Sequence, residues 1–93
     1  MMTQTDDPRR RRALFRSWHR GMRETDLLMG RFADAEIAHL SETELSDYEA
    51  LLEAQDRDIL GWLTGEIEIP SSFDTPVLGR LRQFHTHAGP IHI

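Results

Sequence analysis

The sequence predicts an all-α protein, a compact bundle of five short helices, and three observations lead to this fold class. Apolar residues recur at intervals of three and four, the spacing of one helix face. Helix start signals divide the chain into five segments, and no block is rich in alternating β-branched and aromatic residues. Ninety-three residues suit one small domain. We expect a helical core over about residues 8–84 and a flexible tail over 85–93.

The first two helices are separated by a glycine. Asp7 and Pro8 begin the first helix, because aspartate caps helices well and proline suits the first helical position. Gly21 ends it as the residue after the cap, where positive φ is common. The second helix runs over about 22–39, and Gly30 inside it predicts the close approach of a neighbouring helix or of a partner. Their core-facing residues are predicted to be Leu14, Phe15, Trp18, Leu28, Met29, Phe32, Ala33 and Ile37.

The third helix has the clearest local start signal. Ser41 and Glu44 have the spacing of a capping box. A fourth helix begins near Asp56 and ends at Gly65, and we interpret Asp56 and Asp58 as capping carboxylates that favour the helix dipole. The apolar residues of this part, including the hydrophobic staple of Leu40 and Leu45, are Leu40, Leu45, Tyr48, Leu52, Ile59, Leu60, Trp62 and Leu63.

The fifth helix repeats the start signal of the first. Thr75 and Pro76 are its cap and first residue, after a loop over 66–74 in which a short extended piece around 66–69 is possible. Its inward residues are predicted to be Val77, Leu78, Leu81 and Phe84. The tail contains His85, His87 and His92, which suggest a metal site, but a flexible terminal segment makes a poor preformed site. We therefore predict no metal.

Composition excludes several classes of protein. The chain has no cysteine, so disulfides and thiolate metal sites are excluded. No apolar run approaches the roughly 20 residues of a membrane span, and no apolar signal region follows the N-terminal arginines. The chain has no phosphate-binding glycine loop, no dinucleotide fingerprint and no recognisable catalytic triad. We expect a cytoplasmic protein that is not an enzyme, without membrane insertion.

Charge is distributed unevenly along the chain. Residues 1–31 carry eight arginines against four acids, whereas residues 32–93 carry three arginines against twelve acids. The run Arg9–Arg12 opposes the dipole of the helix it begins. Three interpretations stay open: a solvated helix face, a surface for an acidic partner, or a small nucleic-acid-binding or general interaction module. Trp18 and Trp62 are most simply core residues, although either could be an interface anchor.

The segment Arg20–Glu24 places three charged side chains around the predicted turn at Gly21. One interpretation is a joint, with Glu24 in the first turn of the second helix, where an acid stabilises the positive end. The other is a docking surface, in which Gly21 lets a partner approach the backbone and Arg23 and Glu24 offer charged hydrogen bonds. Physical chemistry alone does not separate these interpretations.

The corner and its flanking motifs resemble the SdhE-type FAD assembly factors, called succinate dehydrogenase assembly factor 2 in eukaryotes, whose hallmark is Arg-Gly-x-x-Glu. The resemblance covers about residues 9–84 and is loose over 66–93, so no site residue is carried over there. Trp18 and His19 depart from the residues that many members have before the motif. The matching segments are Arg20–Phe32, Leu40-Ser41-x-x-Glu44-Leu45, Tyr48-Glu49-x-Leu51-Leu52, Asp56-x-Asp58-Ile59 and Trp62–Gly65.

The resemblance implies a helical assembly chaperone, bacterial and cytoplasmic, with the mitochondrial matrix as the equivalent location in eukaryotes. Its expected client is the flavoprotein subunit of succinate dehydrogenase, with fumarate reductase as a second candidate. The factor promotes covalent attachment of FAD to a client histidine, binds no FAD tightly itself, binds no nucleic acid and acts as a monomer. The residues expected to contact the client are Gly21 and Glu24, with Arg20 and Arg23 beside them, and Arg11, Arg16 and Trp18 on the first helix.

Overall fold

A computed structural model describes residues 6–86 and contains five α-helices, as predicted. Two single-turn 3-10 segments follow the second and fourth helices, at Ile37–His39 and Ser71–Phe73, and no strand occurs within residues 6–86. No helix in this range is long and apolar enough to cross a membrane. The helices are α1 (Pro8–Trp18), α2 (Arg23–Glu36), α3 (Glu42–Leu52), α4 (Asp56–Thr64) and α5 (Pro76–Thr86).

One apolar core lies between the five helices, and the helical spacing predicted most of it. Met29, Ala33 and Ile37 of the second helical segment are fully buried, as are Leu45 and Leu81. Half-buried Trp18 packs against this core, and its indole ring lies over Gly30. A Cβ on Gly30 would come within 2.3 Å of that ring, so the predicted close approach is confirmed and the neighbouring element is α1.

A buried hydrogen-bond network joins three helices through the core. The hydroxyls of Ser17 and Tyr48 lie 2.6 Å apart, and Ser17 also bonds the carbonyl oxygen of Ala13. The Tyr48 hydroxyl reaches the carbonyl oxygen of Met29 on α2. Burial raises the pKa of Tyr48, so the hydroxyl keeps its proton and can donate. The network therefore ties α3 to both α1 and α2 without an unsatisfied polar atom.

The helix caps form largely as the sequence predicts. The Asp7 carboxylate accepts from the Arg9 amide, and Ser41 and Glu44 form a complete capping box. Gly65 ends α4 with φ +85°, and the Thr75 hydroxyl accepts from the amide of Leu78. These signals are local in sequence, which is why they could be identified without the structure.

Three expectations about individual residues, Phe15, Phe84 and His85, need correction. Phe15 is 62% exposed, and Phe84 is 37% exposed although its ring lies edge-on to the buried Phe32 ring, with 5.7 Å between the centroids. The helix α5 continues to Thr86, so His85 is part of it rather than of a flexible tail, and its ring bonds the carbonyl oxygen of Leu28. The possible extended piece at 66–69 forms no strand. Residues 87–93 lie outside the described range.

Candidate functional site: a corner held from below

The chain turns sharply between α1 and α2. The helix α1 ends at Trp18 with His19 as its cap, and Gly21 has φ +116°, a conformation that side chains disfavour. Gly21 is therefore the second residue beyond the cap, not the first as predicted, because α1 ends one residue earlier than expected. Met22 is extended and caps α2 without a side-chain hydrogen bond.

Asp56, the first residue of α4, holds both sides of this turn. One carboxylate oxygen accepts from the Arg20 side-chain Nε at 2.9 Å, and the other accepts from the Met22 amide at 3.2 Å. These two bonds bracket Gly21. Asp26 adds a third restraint by accepting from the Arg20 backbone amide. The bend is thus fixed by hydrogen bonds from α2 and α4, not by Gly21 alone.

Asp56 and Asp58 lie in the first turn of α4, where an acid favours the helix dipole as predicted, but neither residue caps the helix. Gln55 occupies the cap position of α4, and the oxygens of Asp56 are directed to the corner instead. The interaction partners are 36 residues apart, so no sequence spacing marks them. An acid in the first turn of a helix has an ordinary local explanation, and this explanation conceals the long-range contact.

The Arg20 guanidinium is turned into the protein. Its side chain is only 9% exposed, and besides Asp56 it donates to the carbonyl oxygens of Leu52 and Ala54 at the end of α3. These carbonyls lie beyond the helix's own hydrogen bonding, so the guanidinium satisfies them. Arg20 consequently joins the turn between α1 and α2 to the α3–α4 connection. Client contact by Arg20 stays a prediction, and the geometry gives this residue a positioning task.

The other corner residues face outward. Gly21 and Arg23 are exposed and Glu24 is half-buried, and the side chains of Arg23 and Glu24 make no hydrogen bond or ion pair within residues 6–86. Glu24 lies in the first turn of α2, where its charge is favourable, but it forms no cap bond. A Cβ on Gly21 would meet only a carboxylate oxygen of Asp56, at 3.6 Å. The corner therefore presents a bare backbone between one free cation and one free anion.

The basic start of α1 divides into paired and unpaired arginines. Arg9 bonds Glu49 through two nitrogens and also contacts Glu42 and Ser46, all on α3. The hydrogen bond from Arg9 holds the pKa of the Glu49 carboxyl below its usual range. Arg10 bonds Asp7, Glu42 and the carbonyl oxygen of Ile37. Half of the predicted basic patch thus attaches α1 to the rest of the fold.

The remaining α1 residues predicted as client contacts differ in exposure. Arg11 and Arg16 are both exposed, and Arg16 is paired with Glu53. Trp18 is half-buried, since its ring covers Gly30 and its Nε1 donates to Asp34 at 3.1 Å. Of the three, Arg11 alone is both exposed and without an ion-pair partner within residues 6–86, while their binding to a client stays a prediction.

The described residues contain no group of three or more side chains with metal-ligating atoms. His85 bonds a backbone carbonyl, and burial lowers its pKa. His87 and His92 lie outside the described residues.

This chain is similar to known proteins over most of its length. A family model described as the flavinator of succinate dehydrogenase matches residues 11–85. A relative from Dictyostelium discoideum named succinate dehydrogenase assembly factor 2, mitochondrial, is 43% identical over 82 residues, covering 88% of this chain and 57% of its own length. The FAD assembly factor SdhE of Acetobacter pasteurianus is 42% identical over 73 residues, covering 78% of this chain and 67% of its own length.

A third relative, the mitochondrial assembly factor 2 of Komagataella phaffii, is 34% identical over 84 residues, covering 86% of this chain and 44% of its own length. The chain thus spans about half the length of the eukaryotic relatives and two thirds of the bacterial one. All three are named as assembly factors rather than as enzymes, and they include mitochondrial and bacterial proteins. The chain belongs to the family of succinate dehydrogenase flavinators.

Proposed function

We propose that this protein binds the flavoprotein subunit of succinate dehydrogenase and promotes the covalent attachment of FAD to a histidine of that subunit. The observation that carries the proposal is the corner, where a family motif is held rigid from inside and left unpaired outside. Gly21, Arg23 and Glu24 face outward, while Arg20 and Asp56 hold the backbone that presents them.

Each outward residue has a distinct part in the proposed interface. The absence of a side chain at Gly21 lets the client's backbone approach the turn closely. Glu24 accepts hydrogen bonds from client donors, and Arg23 donates to client acceptors beside it. Because neither charge has a partner within residues 6–86, binding breaks no internal ion pair. The rigid turn also limits the conformational entropy lost on docking.

FAD belongs to the client in this proposal. The chain has no glycine-rich loop to hold the pyrophosphate, and the guanidinium of Arg20 donates to Asp56 and to two backbone carbonyls. FAD, held by the client, supplies the reactive 8α-methyl carbon. The factor's residues bind the immature flavoprotein and hold it in the geometry in which its own groups complete the bond. Fumarate reductase flavoprotein is a second candidate client of the same kind.

The test is in-gel flavin fluorescence of the flavoprotein subunit in a strain from which the gene for this protein is deleted. We expect the covalent flavin signal to be lost and to be restored by the wild-type gene. Glu24→Ala should fail to restore it, although it accumulates as a folded protein. The matched control is Glu68→Ala, which removes an exposed acid from the loop after α4 and should restore the signal fully. Undiminished covalent flavin in the deletion strain would refute the proposed function.

The nucleic-acid interpretation gains no support from the described residues. Arg9 and Arg10 are committed to carboxylates of α3 and to backbone, so the run of four arginines does not form a continuous basic strip. The chain also carries a net charge of −5. A phosphate backbone would therefore meet few free cations and an acidic surrounding surface.

A further inference from the structure

A groove on the outer face of α1, here called the α1 groove, is lined by Pro8, Arg11, Arg12, Phe15 and Arg16. It has a volume of about 540 Å³ and lies along the helix that leads into the corner. Phe15 projects from it with 62% of its surface exposed, the largest exposure of any large apolar side chain within residues 6–86. An exposed aromatic side chain among cations is a common composition for a protein-binding surface.

The Phe15 ring is held in place although it is exposed. It stacks on the His19 ring with 3.9 Å between the centroids and 17° between the planes. His19 is fixed in turn, because its Nδ1 lies 2.7 Å from the carbonyl oxygen of Phe15, to which it donates. A preordered ring loses little conformational entropy on binding, which favours its use as an anchor.

The α1 groove is lined by three arginines, and one of them has a carboxylate partner in an ion pair. The side chains of Arg11 and Arg12 make no hydrogen bond or ion pair within residues 6–86, whereas Arg16 is paired with Glu53. Arg11 lies in the first turn of α1, where the helix dipole disfavours positive charge, and Arg12 adds to the effect of Arg9 in lowering the pKa of the Glu49 carboxyl. This local cost is offset if an anionic partner binds there. Residues four apart on a helix share a face, so Arg11 and Phe15 offer a cation and an anchor together.

We propose that the α1 groove is a second docking site for the flavoprotein subunit, which binds an acidic segment of that subunit carrying one apolar side chain. The apolar side chain packs on Phe15, and the carboxylates pair with Arg11 and Arg12. The proposal rests on the proposed function, and it extends the interface from the corner along α1 through the Phe15–His19 stack. A protein segment suits the groove better than nucleic acid, because the exposed Phe15 offers an apolar anchor, whereas Arg9 and Arg10 are paired with carboxylates and leave no continuous basic strip for a polyanion.

The experiment measures the affinity of this chain for the purified flavoprotein subunit by isothermal titration calorimetry at two salt concentrations. Three variants are compared with wild type: Phe15→Ala, the double variant Arg11→Gln/Arg12→Gln, and Glu24→Ala. The matched control is Arg31→Gln/Arg82→Gln, which removes the same charge from exposed positions of α2 and α5. We expect Phe15→Ala and the α1 double variant each to weaken binding by about 10-fold or more, and the control to bind like wild type.

The salt dependence identifies the chemistry. Wild-type affinity should fall as salt rises, and the α1 double variant should have lost part of this dependence, because exposed ion pairs are screened. If Glu24→Ala weakens binding while both groove variants bind like wild type, the α1 groove proposal is overturned and the corner proposal stands. If wild-type protein does not bind the flavoprotein at all, both proposals fail. Tighter binding of a 20-nucleotide single strand that depends on Arg11 and Arg12 would assign the groove to nucleic acid and overturn the proposal.

Discussion

Replacing Arg20 with methionine tests whether the first residue of the corner motif supports the fold. Methionine keeps much of the side-chain volume but removes every hydrogen bond from the guanidinium. The substitution leaves the Asp56 carboxylate, only 15% exposed, without its charged partner, and it leaves the carbonyl oxygens of Leu52 and Ala54 without their donor. Arg20 itself is 9% exposed, so solvent screens this ion pair little.

The expected loss follows from these contacts. Removing one partner of a buried ion pair destabilises proteins by about 3–5 kcal/mol. The lower limit suits this site, since Asp56 keeps its bond from the Met22 amide. A loss of about 3 kcal/mol corresponds to a decrease in Tm of roughly 12–24 °C for a domain of this size. It is a large part of the total stability of a small domain, which is about 5 kcal/mol at the low end.

Urea denaturation followed by tryptophan fluorescence measures this loss, because Trp18 and Trp62 both pack on the core. The matched control is Arg23→Met, which removes an exposed arginine of the same corner and should change the free energy of unfolding by less than about 0.5 kcal/mol. In a double-mutant cycle, Arg20→Met with Asp56→Leu should cost about 1–3 kcal/mol less than the sum of the single changes. If Arg20→Met unfolds like wild type but no longer binds the client, Arg20 is a contact residue and the positioning argument is refuted.

Three further predictions concern stability and its link to binding. Gly30→Ala should lower the free energy of unfolding, measured by urea denaturation, by about 1–3 kcal/mol, because its Cβ would come within 2.3 Å of the Trp18 ring. The loss should be smaller in a Trp18→Leu background, where the ring is absent. An equal loss in both backgrounds would contradict the packing argument. Gly21→Ala and Gly65→Ala should each lower the free energy of unfolding by about 1–3 kcal/mol, since both glycines have positive φ. Only Gly21→Ala should also weaken client binding in a pull-down. Burial lowers the pKa of His85 below its usual 6.5, so its contribution to stability is complete above that pH and is lost as pH falls through the folded-state pKa. Thermal denaturation between pH 7 and 5 should show this loss of stability in wild type. The control His39→Gln, which changes an exposed histidine, should show the same loss. If the loss persists in His85→Gln, His85 is not its source.

The sequence predicted the fold more fully than the site, because helix periods and caps are local signals. The capping box at Ser41 and the glycine end of α4 need only neighbouring residues. By contrast, Arg20 pairs with Asp56 across 36 residues, and nothing near either residue indicates the other. The position of the motif was therefore predictable, whereas the division between the inward Arg20 and the outward Glu24 was not.

The apolar face of a helix also has edges that periodicity locates poorly. Phe15 follows the buried Leu14 directly and has the same hydropathy pattern, but it lies 100° further around α1 and is exposed. The helical spacing of apolar residues therefore predicted, wrongly, that Phe15 belongs to the core. Its exposure, and its stack on His19, became evident only from the packing of α1 against α2 and α3.

The central claim is that the corner acts by docking the flavoprotein, and reconstitution from purified components tests it most directly. The apo-flavoprotein subunit, FAD and this protein are mixed, and covalent flavin is measured over time after denaturation of the samples. Wild-type protein should accelerate the attachment, Glu68→Ala should match it, and Glu24→Ala, whose free energy of unfolding should lie within about 1 kcal/mol of wild type, should not accelerate it. Acceleration by Glu24→Ala equal to that by wild type would contradict the claim.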